Sequence, residues 1–165
     1  SDVVDEFGGK IKFILDGGRC KIGLESTIID LTGEPTILRQ GSITTERIKK
    51  ILKKKINFNN KLKKIISPGQ LKSHYSPGIP VYMNRKASST DEAFITFGKK
   101  FKNAKNTFNL SLNGNLNEAA NNLYKTMRKI KKSGFCSISV CKIPNRGIGK
   151  AINERLKKAS YKWKK

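Results

Sequence analysis

Residues 23–32 read GLESTIIDLT and decide the fold of the first part of the chain. Their apolar and β-branched residues predict a strand, and TILR at residues 36–39 predicts a second strand after a Gly-Glu-Pro turn. Ser26 and Thr27 place two hydroxyls directly after the carboxylate of Glu25. Because adjacent strand residues face opposite sides of a sheet, only some of these groups can reach one ligand. On this pattern alone, a structural role for the hydroxyls is the simpler interpretation.

The remainder of the chain alternates between strand and helix patterns. Thr44 is a typical N-cap for a helix whose apolar face holds Ile48, Ile51 and Leu52. Strand patterns occupy residues 11–15, 22–31, 36–39, 81–83, 93–97, 107–112 and 135–140, and helical patterns occupy residues 3–7, 45–55, 116–132 and 148–159. Strands that alternate with helices in the second half predict a small α/β domain with a largely parallel sheet.

The stretch SPGQLKSHYSP, residues 67–77, lies where no regular element can form. Residues 67–80 contain three prolines, three serines and two glycines, which predicts a linker between two domains. His74, the single histidine of the chain, lies beside Tyr75 at the centre of this linker. The predicted parts are a first domain over residues 1–66, a linker over residues 67–80 and a second domain over residues 81–165.

The composition disfavours several classes of protein. Three cysteines without a CxxC spacing, together with one histidine, make a zinc site an unexpected feature. Cys20, Cys136 and Cys141 are instead expected to be small buried thiols in a reducing cytosol. No apolar run approaches the ~20 residues that span a bilayer, and the first residues do not read as a signal peptide. These features predict a cytoplasmic protein without a membrane partner.

The net charge of +23 is unevenly distributed along the chain. Residues 1–40 carry five Lys or Arg and seven Asp or Glu, whereas residues 41–165 carry thirty and five. Such asymmetry is typical of surfaces that meet nucleic acid or acidic membranes. The excess is mostly lysine and accompanies much asparagine and isoleucine, as codon bias toward A and T produces. A solvated surface with no polyanion partner is therefore the alternative.

Three blocks in this order resemble a known family. GLESTIIDLT at residues 23–32, EPTILRQGSIT at residues 34–44 and SPGQLKSHYSP at residues 67–77 resemble the two-domain threonylcarbamoyl-AMP synthases of the YrdC type. RGIGKAINERLKKAS at residues 146–160 resembles the terminal segment of that family. The resemblance implies that the first part is the C-terminal part of a YrdC-like twisted-sheet α/β domain. The third part would be a small Rossmann-like α/β domain.

The resemblance also implies an activity and roles for single residues. The family is expected to convert L-threonine, bicarbonate and ATP into threonylcarbamoyl-AMP and pyrophosphate, and partner proteins would pass the product to tRNA. By resemblance, Ser26 and Thr27 contact L-threonine, whereas Arg39, His74 and Tyr75 contact ATP, with Mg²⁺ on its phosphates. The planar fork of an arginine suits pairs of phosphate oxygens. The linker would close over the site as a lid, and no residue would be a nucleophile.

Four other motif residues have structural explanations. Glu25 and Asp30 are expected to hold the local fold. An exposed, functional role is the alternative for Asn153 and Arg155, which packing and capping explain adequately. Gln40 stands where the family usually has proline, a departure that leaves Arg39 in place.

The first half of the family has no counterpart in this sequence. Nothing resembles its KxRP or PSAN motifs, so the chain is expected to be the C-terminal half of an enzyme. One alternative is a non-catalytic basic module that binds RNA, including double-stranded RNA, through the lysine-rich surface of residues 41–165. Another is an inert fragment whose first forty residues lack their partner strands.

Overall fold

The structure is a computed structural model that describes residues 2–18, 20–58, 65–71, 75–101 and 103–161. Eleven elements follow one another within these ranges. In chain order they are α1 Asp2–Phe7, β1 Ile28–Asp30, β2 Thr36–Arg39, α2 Thr45–Leu52, β3 Asn57–Phe58, β4 Val81–Tyr82, β5 Glu92–Thr96, β6 Thr107–Asn109, α3 Leu116–Lys132, β7 Ser137–Val140 and α4 Gly149–Ala159.

Two separate sheets divide the described residues. The first sheet has the order β1-β2-β3, with β1 antiparallel to β2 and β2 parallel to β3. The second sheet has the order β4-β7-β5-β6, and all of its neighbours are parallel. The α/β fold predicted from the alternating pattern is therefore confirmed, with a parallel sheet in the second part of the chain.

The hydrophobic core lies in the second part. Ala93 and Ile95 of β5, together with Ile138 and Val140 of β7, share the sheet face that packs against α3 and α4. Period-two alternation in the strands and the apolar stripes of the two helices explain this layer. Among the described residues, every buried apolar side chain except Pro35 and Ile37 lies between positions 81 and 159.

The first part has little core of its own. The predicted buried strand at residues 11–15 is wrong, because Phe13 is 89% exposed and Leu15 is 98% exposed. A strand needs a hydrogen-bonded neighbour, and in the described part of the chain this segment has only an isolated bridge between Gly8 and Ile11. Likewise, α2 buries no residue, and Ile51 on its apolar face is 72% exposed.

Two further expectations are corrected. The strand predicted over residues 22–31 is limited to β1, because only Ile28–Asp30 pairs with β2. Cys141 is buried as expected, whereas Cys20 and Cys136 are exposed thiols. Within the described ranges, no helix combines the length and the apolar character that crossing a membrane requires.

The N-cap of α2 supports a first prediction. The side chain of Thr44 accepts a hydrogen bond from the backbone N–H of Arg47 at 3.3 Å, and losing such a cap weakens a helix by about 1 kcal/mol. The Thr44→Ala substitution should therefore speed amide exchange in α2 about fivefold. Hydrogen exchange measured by mass spectrometry checks this, with Thr90→Ala, at an exposed turn, as the matched control. Equal exchange in both variants would contradict the role of the cap.

Candidate functional site

The candidate site lies where the segment before β1 meets the end of β2. Arg39 donates from Nε to the backbone oxygen of Ser26 at 3.0 Å and from Nη2 to Ser26 Oγ at 3.2 Å. Ser26 is exposed, whereas Arg39 is half-buried. A hydroxyl that accepts from a guanidinium keeps its own hydrogen for a ligand. The structure therefore brings together two of the residues that the sequence assigned to substrates.

A glycine allows these two segments to approach so closely. A Cβ added at Gly41 would collide with backbone atoms of Glu25, Ser26 and Thr27. The absence of a side chain at this position therefore lets the chain after β2 lie directly against the motif.

Thr27 contacts a different segment, the loop before α2. Its hydroxyl donates to the backbone oxygen of Ile43 at 2.6 Å, which ties the motif to the entry of α2. The hydroxyl oxygen retains acceptor capacity, because a hydroxyl accepts through two lone pairs. Thr27 thus has a structural hydrogen bond and can still accept one from a ligand.

Arg155 of α4 contacts the same region from the second part of the chain. It is 1% exposed, donates from Nε to Glu25 Oε2 at 2.9 Å and donates from Nη2 to the backbone oxygen of Gln40 at 2.8 Å. Tyr124 of α3 donates its hydroxyl hydrogen to the Glu25 carboxylate at 3.1 and 3.2 Å. We call Arg155, Glu25, Gln40, Tyr124 and Tyr75 the Arg155 joint.

Charges within the joint stabilise one another. Burial alone would raise the pKa of Glu25, but the hydrogen bond and charge of Arg155 outweigh it and hold that pKa below its ordinary value. Burial, followed by the negative charge of Glu25, raises the pKa of Tyr124 far above its ordinary value. Burial also raises the pKa of Tyr75, so at neutral pH the joint holds a charged carboxylate, a guanidinium and two neutral phenols.

Tyr75, from the predicted linker, contacts two other residues of the Arg155 joint. Its ring stacks on Tyr124 with centroids 5.8 Å apart, and the Arg155 guanidinium carbon lies 5.1 Å from the Tyr75 ring centroid. Its φ of 63° is rare for a residue with a large side chain, so the surrounding contacts hold a strained backbone. His74, the other linker residue assigned to ATP, lies outside the described residues.

A second contact joins Gly69, in the predicted linker, to α4. Lys158 donates to the backbone oxygen of Gly69 and to Glu154 Oε1. A Cβ at Gly69 would lie 2.8 Å from the Tyr75 hydroxyl oxygen and 3.2 Å from Arg39 Cδ. The linker therefore passes close to Arg39.

A cleft of about 1570 Å³ lies beside this site, between the first sheet and the loops after β4 and β7. Gln40 and Lys158 line it, whereas Ser26 and Arg39 do not. No group of three His, Cys, Asp or Glu side chains suited to a metal ion occurs among the described residues.

The family of the chain follows from its match to a known domain. Residues 43–160 match the family described as "Threonylcarbamoyl-AMP synthase, C-terminal domain". The chain belongs to this family. Residues 1–41 match a second family, described as "Telomere recombination".

Relatives of the threonylcarbamoyl-AMP synthase family cover nearly the whole chain. The threonylcarbamoyl-AMP synthase of Pyrococcus abyssi (strain GE5 / Orsay) is 32% identical over 178 residues, a match that covers 96% of this chain and 52% of that protein. The Bacillus subtilis (strain 168) threonylcarbamoyl-AMP synthase is 28% identical, with 96% and 51% covered. The chain thus spans about half the length of the curated relatives it matches.

A solved structure of the family has the same fold. The crystal structure of P. abyssi Sua5 complexed with L-threonine matches with a TM-score of 0.80 and 29% identity, over 96% of this chain and 52% of that one. This match confirms the fold predicted by resemblance, in which part of a twisted-sheet α/β domain precedes a small α/β domain.

Sequence reasoning missed the importance of Arg155 and Tyr124. The sequence analysis explained Arg155 by packing or capping and assigned no role to Tyr124. The available signal was the position of Arg155 within the terminal block that resembles the family. Asn153, in contrast, donates to the backbone oxygen of Ile143 and to Asn145 Oδ1, which agrees with a structural role.

Proposed function

We propose that the protein to which this chain belongs is a threonylcarbamoyl-AMP synthase. In the proposed reaction, the amine of L-threonine and bicarbonate form a carbamate with loss of water. An oxygen of the carbamate group then attacks the α-phosphate of ATP, which forms the threonylcarbamoyl–AMP bond and releases pyrophosphate. The pairing of Ser26 with Arg39 carries this proposal, because an exposed hydroxyl and a guanidinium, a group suited to phosphate oxygens, are in contact in a member of this family.

Ser26 and Thr27 are the proposed contacts to L-threonine. The Ser26 hydroxyl already accepts from Arg39, which directs its hydrogen toward a carboxylate or hydroxyl of the amino acid. The Thr27 hydroxyl donates its hydrogen to the backbone oxygen of Ile43, so its oxygen is the atom that can accept a hydrogen bond from the substrate ammonium group. The relative that supports this assignment is P. abyssi Sua5, whose crystal structure was determined with L-threonine.

Arg39, His74 and Tyr75 are the proposed contacts to ATP. Two of the Arg39 nitrogens bond Ser26, and its guanidinium has five N–H donors, so further donors are available for phosphate oxygens. Tyr75 lies in the Arg155 joint, and its hydroxyl and Arg39 both lie close to Gly69. The proposed contact of His74 with ATP rests on the family resemblance. Closure of such a lid excludes water from a labile acyl-adenylate.

Catalysis at this site would consist of positioning and charge stabilisation. Magnesium would arrive as part of the MgATP substrate, because Mg²⁺ usually keeps its waters and binds substrate phosphates with one or two carboxylates.

The proposed domains are residues 1–66, with the first sheet, the linker at residues 67–80, and residues 81–165, with the second sheet. Their support is the division of the strands, since β1–β3 and β4–β7 form separate sheets. The proposed setting is the cytoplasm, where partner proteins would transfer the threonylcarbamoyl group to tRNA.

Contact with tRNA through the basic surface is a further proposal. Five lysines of and just after α2 are exposed to solvent: Lys49, Lys50, Lys53, Lys54 and Lys55. Lysines on such a surface would meet phosphates without reading sequence, so binding should weaken steeply with salt.

The decisive experiment measures pyrophosphate release by the full-length protein from ATP, with and without L-threonine and bicarbonate. Release should require both co-substrates. Ser26→Ala should raise the KM for L-threonine about tenfold, as expected for the loss of one hydrogen bond to a charged group. His74→Ala should lower the rate.

Thr90→Ala, which removes an exposed hydroxyl far from the motif in sequence, is the matched control and should leave the rate unchanged. Release that does not respond to L-threonine in the unaltered protein would overturn the proposed enzyme. In that case, salt-dependent RNA binding would favour the basic module.

A further inference from the structure

Arg155 reaches three separate segments of the chain through one guanidinium. It bonds the Glu25 carboxylate, bonds the Gln40 backbone oxygen and lies over the Tyr75 ring. Each of these partners is the immediate neighbour in sequence of a residue proposed to contact a substrate. Glu25 precedes Ser26, Gln40 follows Arg39, and Tyr75 follows His74. One buried side chain of the second domain thus contacts the sequence neighbours of Ser26, Arg39 and His74, and one of these neighbours, Tyr75, is itself a proposed contact to ATP.

Stability alone does not explain an arginine at this position. Removing a guanidinium from water costs several kcal/mol, and well-packed apolar residues often serve as well as a buried ion pair. Directional bonds are what the planar fork of arginine adds over an apolar residue or a lysine. In Arg155, Nε and Nη2 point to different segments, so the relative position of those segments depends on this one side chain.

The two bonded segments carry the site. Arg39 reaches Ser26 across the start of the β1–β2 pair, where the register shifts between Ile28 and Ile29. A register irregularity leaves the neighbouring residues less constrained by the ladder of backbone hydrogen bonds. The Arg155 bonds to Glu25 and Gln40 supply a constraint immediately beside this irregularity.

We propose that Arg155 is a positioning residue for the synthase reaction, which sets the distance between Ser26 and Arg39 through Glu25 and Gln40. The inference rests on the proposed function of the site. Arg155 is too enclosed to meet a substrate, since it is 1% exposed. Its effect passes through its partners, and the second domain thereby takes part in threonine binding without touching threonine.

The test compares three variants of the full-length protein. Arg155→Met removes the bonds and keeps an unbranched apolar side chain. Arg155→Lys keeps the charge but lacks the fork that bonds two segments at once. Arg146→Met, at an exposed position in the loop before α4, is the matched control for the loss of one positive charge.

Kinetics supply the first measurement. Both Arg155 variants should raise the KM for L-threonine roughly 10- to 100-fold, the scale of an ångström-sized misplacement. The control should stay within about twofold of the unaltered protein. If Arg155→Lys binds threonine as well as the unaltered protein, charge alone suffices and the positioning role is overturned.

Hydrogen exchange supplies the second measurement and separates positioning from general instability. Peptides that contain residues 24–28 and 38–41 should exchange about tenfold faster in Arg155→Met, while peptides from α3 should keep their protection. Faster exchange throughout α3 would mean that Arg155 only stabilises the fold, and would overturn the proposal.

The two proposals fail in different ways. If the unaltered protein shows no threonine-dependent pyrophosphate release, the proposed function fails, and the reaction-positioning role fails with it, whatever the exchange data show. If pyrophosphate release depends on threonine but the KM for L-threonine is unchanged in both Arg155 variants, the proposed function stands and only the positioning role is overturned.

Discussion

Glu25→Ala is expected to weaken the contact of the segment before β1 with α4 by about 3–5 kcal/mol, because it takes from the buried Arg155 guanidinium the carboxylate that lies 2.9 Å from Nε. Arg155 is 1% exposed, and the remaining carboxylate near it, Glu154, lies 3.5 Å from Nη1 and is shared with Lys158. The reverse change, Arg155→Met, should have a smaller effect. The side chain of Glu25 is 32% exposed and can regain water when its partner is lost.

Denaturant unfolding of Glu25→Ala and Arg155→Met measures the difference between their effects. Hydrogen exchange in residues 20–58 then shows where the weakening occurs. Glu34→Ala at an exposed turn position is the control and should change the free energy of unfolding by less than about 0.5 kcal/mol. If Arg155→Met proved the more damaging of the two variants, the guanidinium would not be the costly buried charge, and the explanation would be wrong.

The same ion pair predicts the direction of the pH dependence. The pKa of Glu25 is lowered in the folded protein, so the carboxylate contributes stability above its unfolded pKa. This contribution is complete at pH 7 and is lost as the pH falls through the lowered pKa of the folded state. The difference between the unaltered protein and Glu25→Ala should therefore shrink on acidification.

Gly41→Ala is expected to reduce threonine-dependent pyrophosphate release by roughly 100-fold, because its methyl group would occupy space already filled by backbone. The colliding atoms belong to Glu25, Ser26 and Thr27. Backbone cannot move aside as a flexible side chain does, so the segment that carries Ser26 must shift away from Arg39. The second sheet and the core around it, which are distant in sequence from this contact, should keep their stability.

Gly33→Ala is the matched control for this prediction. No atom lies within 4 Å of a Cβ added at Gly33, and its φ is not in the left-handed region, so alanine fits there. Pyrophosphate release measured for both variants, together with the protection of α3 amides, separates a displaced site from a misfolded protein. Equal activity of the two variants would show that the close approach at Gly41 does not matter for function.

The periodic pattern of apolar residues correctly predicted the elements whose formation is determined by their own sequence. The bounds of α3 agree with its apolar face at residues 116–132, and β2 agrees with TILR at residues 36–39. The segment at residues 11–15 failed for a physical reason. An apolar run indicates burial only if something covers it, and the pattern carries no information about the neighbour.

The candidate site was predicted in part. Ser26 and Arg39 were assigned from the resemblance, and the structure brings them into contact. Their roles as ligand contacts stay predictions, as do those of Thr27, His74 and Tyr75. The contact between Glu25 and Arg155 spans 130 positions, and such long-range pairing has no signature in a single sequence.

The long span of the Glu25–Arg155 pair has a consequence for synthesis on the ribosome. The segment before β1 emerges before α4, and the guanidinium that pairs with its Glu25 carboxylate is made 130 residues later. At translation rates of 5–20 residues per second, that delay is on the order of ten seconds. The contact between Glu25 and Arg155 therefore forms only after α4 has left the exit tunnel, so it is a late step in the maturation of the candidate site.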